Sequence, residues 1–224
     1  MRLSLSAIAT AFAVLLSGCG GNLPGAQGPA GATSAAGASA ASILHQPPAR
    51  QIPASIAAGI EVPTTIDPAD TRAAAYCKQT GGAVEIRRAM YGTNGSSPLP
   101  LAGVATFCKY TSSSSGASRI YIKLNTLYKT KPSLAALAYI LAPPTGSCQG
   151  NPASCYCSLL GGSDQFGGDS GNGGGWFKKN SIDQVLEACI FPDMSSIDSW
   201  GLAYHANGII RGIDLTTVMR YKYP

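Results

Sequence analysis

The sequence predicts an α+β protein made of two related small lobes, each a short helix packed on an antiparallel sheet and stapled by disulfides, behind a disordered tether. Three observations carry that expectation. The pattern Tyr-Cys-x-x-x-Gly-Gly occurs twice, as Tyr76-Cys77-Lys78-Gln79-Thr80-Gly81-Gly82 and as Tyr156-Cys157-Ser158-Leu159-Leu160-Gly161-Gly162, offset by 80 residues. A second cysteine follows each copy at almost the same interval, Cys108 31 residues after Cys77 and Cys189 32 residues after Cys157. Ahead of both copies, no charged residue occurs from Gly20 to Ala49. Self-similarity at a fixed offset marks a duplicated structural unit, and an uncharged stretch of Gly, Ala, Ser and Pro buries too little apolar surface to offset the entropy of ordering.

The chain opens with Met1-Arg2, an apolar run from Leu3 to Leu16, and Ser17-Gly18 directly before Cys19. A positive start, an apolar centre too short to span a bilayer comfortably, and small residues at the cleavage point read as a secretory leader. The cysteine that closes it makes residues 1–18 a lipoprotein signal peptide and Cys19 the lipidated residue. Acyl chains such as palmitate contribute about 0.8 kcal/mol per buried CH₂, which holds a domain at a membrane without a spanning helix. Gly20, in place of an aspartate, points to the outer membrane of a bacterial cell envelope. Residues 19–66 form the expected anchor and tether, with an average reach of roughly 40 Å.

The first lobe is expected over residues 67–146. Asp67-Pro68 or Thr71 starts a short helix into Tyr76-Cys77, and Gly81-Gly82 ends it. Three strands follow, at Ala83 to Tyr91, Val104 to Thr111 and Arg119 to Leu124, separated by Asn94-Gly95 and a Ser-rich turn. Ser133 to Leu141 then reads as an apolar helix. The second lobe, residues 147–224, starts its helix at Asn151-Pro152 and has candidate strands at Trp176 to Lys178, Ala188 to Pro192 and Ile209 to Thr216. Ile197 to His205 fits either a strand or a helix.

The second copy carries Asn151-Pro152-Ala153-Ser154-Cys155-Tyr156-Cys157, then Gly161-Gly162, then Cys189-Ile190-Phe191-Pro192-Asp193 and Trp200. In that order these residues resemble a small bacterial domain of unknown function found in exported lipoproteins, some members of which carry a haemolysin label. The first copy keeps Tyr76-Cys77, Gly81-Gly82, Glu85-Ile86-Arg87 and Phe107-Cys108-Lys109-Tyr110, and lacks the Asn-Pro-Ala and Phe-Pro-Asp segments. In the second copy, Ile197-Asp198-Ser199 replaces the family's acidic cluster, and a Gly-rich insertion follows Gly162. The resemblance transfers no catalytic residue.

Setting Cys19 aside, six of the seven cysteines remain, an even number in an exported chain, which points to disulfides among 15 possible pairings. If the two copies fold alike, Cys77 pairs with Cys108 and Cys157 with Cys189, which leaves Cys148 and Cys155 for a short local bridge. A four-thiolate zinc site from Cys148, Cys155, Cys157 and Cys189 is the competing arrangement. Its Cys-x-Cys spacing and the oxidising compartment weigh against it, so no metal and no cofactor is expected.

Gly167-Gly168-Asp169-Ser170-Gly171 has the outline of a protease nucleophile loop, but a serine nucleophile needs a histidine base held by a carboxylate, and the chain has only His45, in the tether, and His205. Eight glycines among residues 161–175 read more simply as a surface insertion. That loop also lacks a Walker-type lysine and the tandem copies of a calcium-binding repeat.

Charge is the remaining functional signal. Residues 68–142 hold nine Lys and Arg against Asp70 and Glu85, whereas residues 148–224 hold five against seven acidic residues. The first lobe is therefore a candidate to dock on an anionic envelope component, such as lipopolysaccharide, phospholipid headgroups or an acidic envelope protein, with Arg87, Arg88, Lys109, Arg119 and Lys123 as the contacting residues. Export excludes nucleic acid as a partner. The expected function is that of a non-catalytic binding or structural module. A secreted hydrolase or membrane-active effector is the alternative class, and it would require a pocket joining Asp169, Ser170 or His205 to other titratable groups.

Overall fold

The computed structural model describes residues 51–113, 117–148, 150–164, 166 and 171–224. The signal peptide, Cys19, most of the tether, and Asp169 and Ser170 of the Gly-rich insertion lie outside the described residues. The described chain is a mixed α/β structure with an antiparallel sheet and three disulfides.

Its elements are α1 (Ala54–Ala57), a 3-10 turn (Pro68–Asp70), α2 (Thr71–Gln79), β1 (Ala83–Tyr91), β2 (Leu99–Thr111), β3 (Arg119–Lys123), α3 (Leu124–Tyr128), α4 (Leu134–Leu141), α5 (Pro152–Leu159), β4 (Gly174–Phe177), β5 (Val185–Leu186), β6 (Ala188–Ile190), β7 (Ser196–Asp198), α6 (Ser199–Ala206) and α7 (Leu215–Val218). Local chemistry accounts for the helix starts. Asp67 accepts from Ala69 N, Asn151 from Ala153 N and Ser154 N, Ser133 from Ala136 N, and Asp198 from Trp200 N.

The seven strands form one sheet in the order β5-β4-β1-β2-β3-β7-β6, antiparallel at every pairing. The two edge strands, β5 and β6, are separated in the chain by the single residue Glu187. The sheet must therefore curl until its edges nearly meet, giving an almost closed barrel. Both repeat halves contribute to it: β1 of the first pairs with β4 of the second, Ala89 opposite Trp176, and β3 pairs with β7, Ile122 opposite Ile197.

Closure decides which side of each strand is inside. Ala89, Ala105, Phe107, Tyr121, Trp176, Leu186 and Ala188, from six strands, pack together as the barrel lining. The outer face carries Cys108, Tyr110, Ile120, Ile122, Cys189 and Ile197, and it is covered by residues of α2 to α7, among them Leu127, Tyr139, Tyr156 and Leu202. The alternation in Val84-Glu85-Ile86-Arg87 is present, but with the charged side chains inward: Glu85 and Arg87 are buried while Val84 and Ile86 are half-buried. Period-2 alternation shows that two faces differ without showing which one closure will bury.

Two further expectations are corrected. Residues 51–66, assigned to the tether, contain α1 and pack on the barrel, with Ile52, Ala57 and Ile60 covering Met90, Phe177 and Val185. Among the described residues no residue of α2 to α7 belongs to this apolar outer cluster, and the end of the tether supplies its cover. Ile209 to Thr216 is not a strand. Gly212 N is held by Ser118 Oγ, and Asp214 accepts from Thr216 N to start α7, so turn and capping chemistry overrides the β-branched Ile209-Ile210 pair. Ile197 to His205, compatible with either state, divides between β7 and α6 at the cap Asp198.

Candidate functional site

The repeated motif builds the same local structure twice. Gly81 and Gly161 end α2 and α5 in the left-handed region at φ 87° and 80°. Gly82 N then donates to Cys77 O and Gly162 N to Cys157 O. This returns the chain beside its own disulfide, and Cys77 is joined to Cys108, Cys157 to Cys189 and Cys148 to Cys155, the pairs selected by the repeat. The thiols that a zinc site would need are consumed in these bridges.

The other motif residues hold the framework. Tyr156 Oη donates to Pro143 O at 2.6 Å. Asn151 Nδ2 and Trp200 Nε1 both donate to Glu187 Oε2, at 2.9 and 3.2 Å, and so fix the residue between the two barrel edges. Asp193 accepts from Leu134 N at 3.0 Å, and Ser195 Oγ accepts from Ala135 N at 2.9 Å, so the Phe-Pro-Asp turn satisfies the start of α4. Nearby, burial first and then the charge of Glu187 push the Asp164 carboxyl up to about 6.

Three of the five predicted anion-contact residues meet in the barrel interior and are neutralised there. Arg87 is fully buried; its guanidinium donates to Glu85 Oε2 at 2.8 Å, to Asp183 O at 2.9 Å and to Trp176 O at 3.1 Å, and lies 4.8 Å from the centre of the Tyr121 ring. Lys109 and Lys178 reach the other Glu85 oxygen at 3.0 and 3.1 Å. Burial pushes the Glu85 carboxyl up, but the charges of Arg87, Lys109 and Lys178 outweigh it and hold the group down at about 2. Arg119 clasps Asp183 through Nε and Nη2. Arg87 cannot face an anionic surface, and Lys109 and Arg119 are committed to internal carboxylates. Arg88 lies on the opposite side of β1 with its Nε buried and without a partner, and Lys123 is half-buried, donating to Met194 O.

Free positive charge gathers elsewhere. An open groove of about 680 Å³ is lined by Tyr128, Lys129, Thr130, Lys131, Pro132, Asp193 and Arg220. The linker between α3 and α4 places Lys129 and Lys131. The C-terminal segment brings Arg220, tied down by its backbone N–H to Leu127 O at 3.0 Å. The Arg220 guanidinium stacks 4.3 Å from the Tyr128 ring centre and 5.9 Å from that of Tyr76, and Tyr76 is itself anchored by its hydroxyl to Val218 O. Lys129, Lys131 and Arg220 are exposed, and among the described residues none of them forms an ion pair. The one carboxylate in the groove, Asp193, is already engaged: burial raises it, but hydrogen bonds from Ser195 and Leu134 N, with a smaller contribution from the charge of Lys129, outweigh burial and keep it below the usual range. Net positive charge with a stacked, oriented guanidinium suits a phosphate or carboxylate ligand.

Sequence reasoning counted Lys129 and Lys131 among the basic residues without singling them out, and it missed Arg220, which sits in the acidic half of the chain. The two lysines separated by Thr130 before Pro132 were the available signal; Arg220 had none. His205 is not part of this groove. It stacks on Tyr139 at 3.8 Å between ring centres, and burial lowers its pKa. No protein-family model, no curated protein and no solved structure matches the chain.

Proposed function

We propose that the chain is a non-catalytic, lipid-anchored binding module of the bacterial cell envelope that engages an anionic envelope component through the groove formed by Lys129, Lys131 and Arg220. Within this reading the lipid on Cys19 moors the protein to the outer membrane, and two copies of a helix, Gly-Gly and disulfide unit, lobes that share one barrel, form the body it carries. The observation that carries the reading is the gathering of three exposed cations in one open groove, with Arg220 oriented by Tyr128 and Tyr76. Juxtamembrane cations are each worth about 1 kcal/mol at an anionic surface, so three suffice for reversible docking. Lipopolysaccharide, phospholipid headgroups and acidic envelope proteins all present the required charge.

The test is co-sedimentation of the full chain carrying Cys19→Ser with vesicles containing phosphatidylglycerol or lipopolysaccharide. The reading predicts binding that weakens as salt is raised and is absent with purely zwitterionic vesicles. Binding that is indifferent to both vesicle charge and salt contradicts it. Incorporation of labelled palmitate into the wild-type chain, and not into Cys19→Ser, checks the anchor separately.

A further inference from the structure

A second cavity lies away from the basic groove, between α6 and the loop that precedes α5. Its floor is one side of α6: Trp200, Ala203, Tyr204 and Asn207 recur at the three- and four-residue spacing that places side chains on a single helical face. The facing wall is the segment from Thr145 to Cys148, held in place at both ends. Tyr156 Oη bonds Pro143 O at 2.6 Å, and the Cys148–Cys155 bridge pins the segment to α5. The enclosed space is about 230 Å³ and mostly apolar.

The aromatic walls are fixed before anything binds. The Trp200 indole is locked by its N–H to Glu187 Oε2. The Tyr204 ring stands 6.1 Å from it at 49°, and the guanidinium of Arg211 lies 5.1 Å from the Tyr204 ring centre. Ring pairs favour tilted contacts at about 4.5–7 Å, so a third ring inserted here meets two prepared partners. Among the described residues no lysine, arginine, aspartate or glutamate lines the space, and Asn207, whose Nδ2 is committed to Ala203 O, sits at an exposed edge. An apolar cavity of about 150 Å³ is large enough to take benzene. The present one is larger by about the difference between one ring and two fused rings. The hydrogen-bonding side chains in the lining, Thr145, Ser147, Tyr204 and Asn207, contribute less of its surface than the apolar groups do, which suits an aromatic ring better than a saccharide, and a charged ligand would need a counter-ion.

We propose that this cavity is a binding site for a compact, neutral, bicyclic aromatic molecule of indole size. It is independent of the anionic groove and survives the failure of that reading.

The probe is 5-fluoroindole, titrated into the oxidised full chain carrying Cys19→Ser and followed by fluorine NMR and by the two tryptophan indole N–H signals of the protein. The expected result is saturable binding below about 1 mM, with the Trp200 signal moving while that of Trp176, in the barrel lining, stays in place. Asn207→Phe covers the mouth from an exposed position, and Ala203→Leu fills the floor; each is expected to weaken binding at least tenfold, with a cooperative unfolding transition showing that Asn207→Phe is still folded. Methyl glucoside is expected to cause no shift. Absence of saturation, a shift centred on Trp176, unchanged affinity in Asn207→Phe, or tighter binding of the glucoside than of the indole overturns the proposal.

Discussion

Gly82 and Gly162 each lie so close to a disulfide that a β-carbon at either position would overlap both of its sulfurs, Cys77 and Cys108 in the first copy and Cys157 and Cys189 in the second. Gly81 and Gly161, their neighbours, meet nothing, and are required only by their positive φ. The two members of each Gly-Gly pair thus carry different constraints. Gly81→Ala is expected to cost about 1 kcal/mol, the strain of a left-handed alanine. Gly82→Ala is expected to cost at least twice that, because a rigid bridge or the backbone has to shift. Urea denaturation of the two variants, with free-thiol titration to show that the bridges remain closed, checks the order; equal losses would contradict it. The Gly-Gly pairs and the caps Asp67 and Asn151 were legible in the sequence because each acts within a few residues of itself, and the cysteines, whose two long bridges span 31 and 32 residues, were legible because the repeat pairs them.

At the scale of elements, α1 and its flanks belong to the barrel. Ile52, Ala57 and Ile60 seal the outer patch of Met90, Phe177 and Val185, and Gln184 Oε1 accepts from Ile52 N at 3.1 Å. A chain that starts at residue 67, the boundary expected from composition, is predicted to be less stable than one that starts at residue 51, by the cost of exposing that patch. Ile52→Ala alone should cost about 2–5 kcal/mol, the usual range for truncating a buried isoleucine. Thermal unfolding of the two chains decides the matter, and equal midpoints would return α1 to the tether. This element was hidden because it is one turn long and surrounded by Ala and Gly. The strands β5, β6 and β7 were partly hidden for the same reason, since two or three residues show no periodicity. Long, well-patterned strands were legible: β1 spans Ala83–Tyr91 as expected, and β2 extends its expected range back to Leu99.

Across the whole molecule, barrel closure turns the charged faces of β1, β2 and β3 inward, and this is why the predicted anion-contact residues Arg87, Lys109 and Arg119 serve the interior. No local pattern distinguishes a sheet that stays open from one whose edges are joined by a single residue. The buried carboxyls also set a pH dependence. Burial raises Asp164 and Asp198 to about 6, the latter against the opposing charge of Arg211. Between about pH 4 and 6 the folded chain therefore holds protons that the unfolded chain has released, and stability falls as pH rises through that window. Glu85, held at about 2, acts in the opposite sense: its contribution is present above its ordinary value and is lost as pH falls towards 2. Stability should peak at about pH 4, and Asp164→Asn should flatten the decline from 4 to 6 by about 2 kcal/mol while leaving the acid arm in place. Chemical denaturation across pH 3–8 measures both arms, and stability rising steadily to pH 7 would contradict the assignment.

The groove is likewise a property of the whole fold, assembled from the α3–α4 linker and the last turn before the C-terminus. Its role is tested most directly by comparing two variants of the unlipidated full chain on phosphatidylglycerol vesicles at low salt: Lys129→Ala/Lys131→Ala/Arg220→Ala, and Arg88→Ala on the outer face of β1. The account predicts that the triple variant loses about 100-fold in affinity, from about 1 kcal/mol per cation, while Arg88→Ala binds like the parent. Undiminished binding by the triple variant, with both proteins folded, would contradict it.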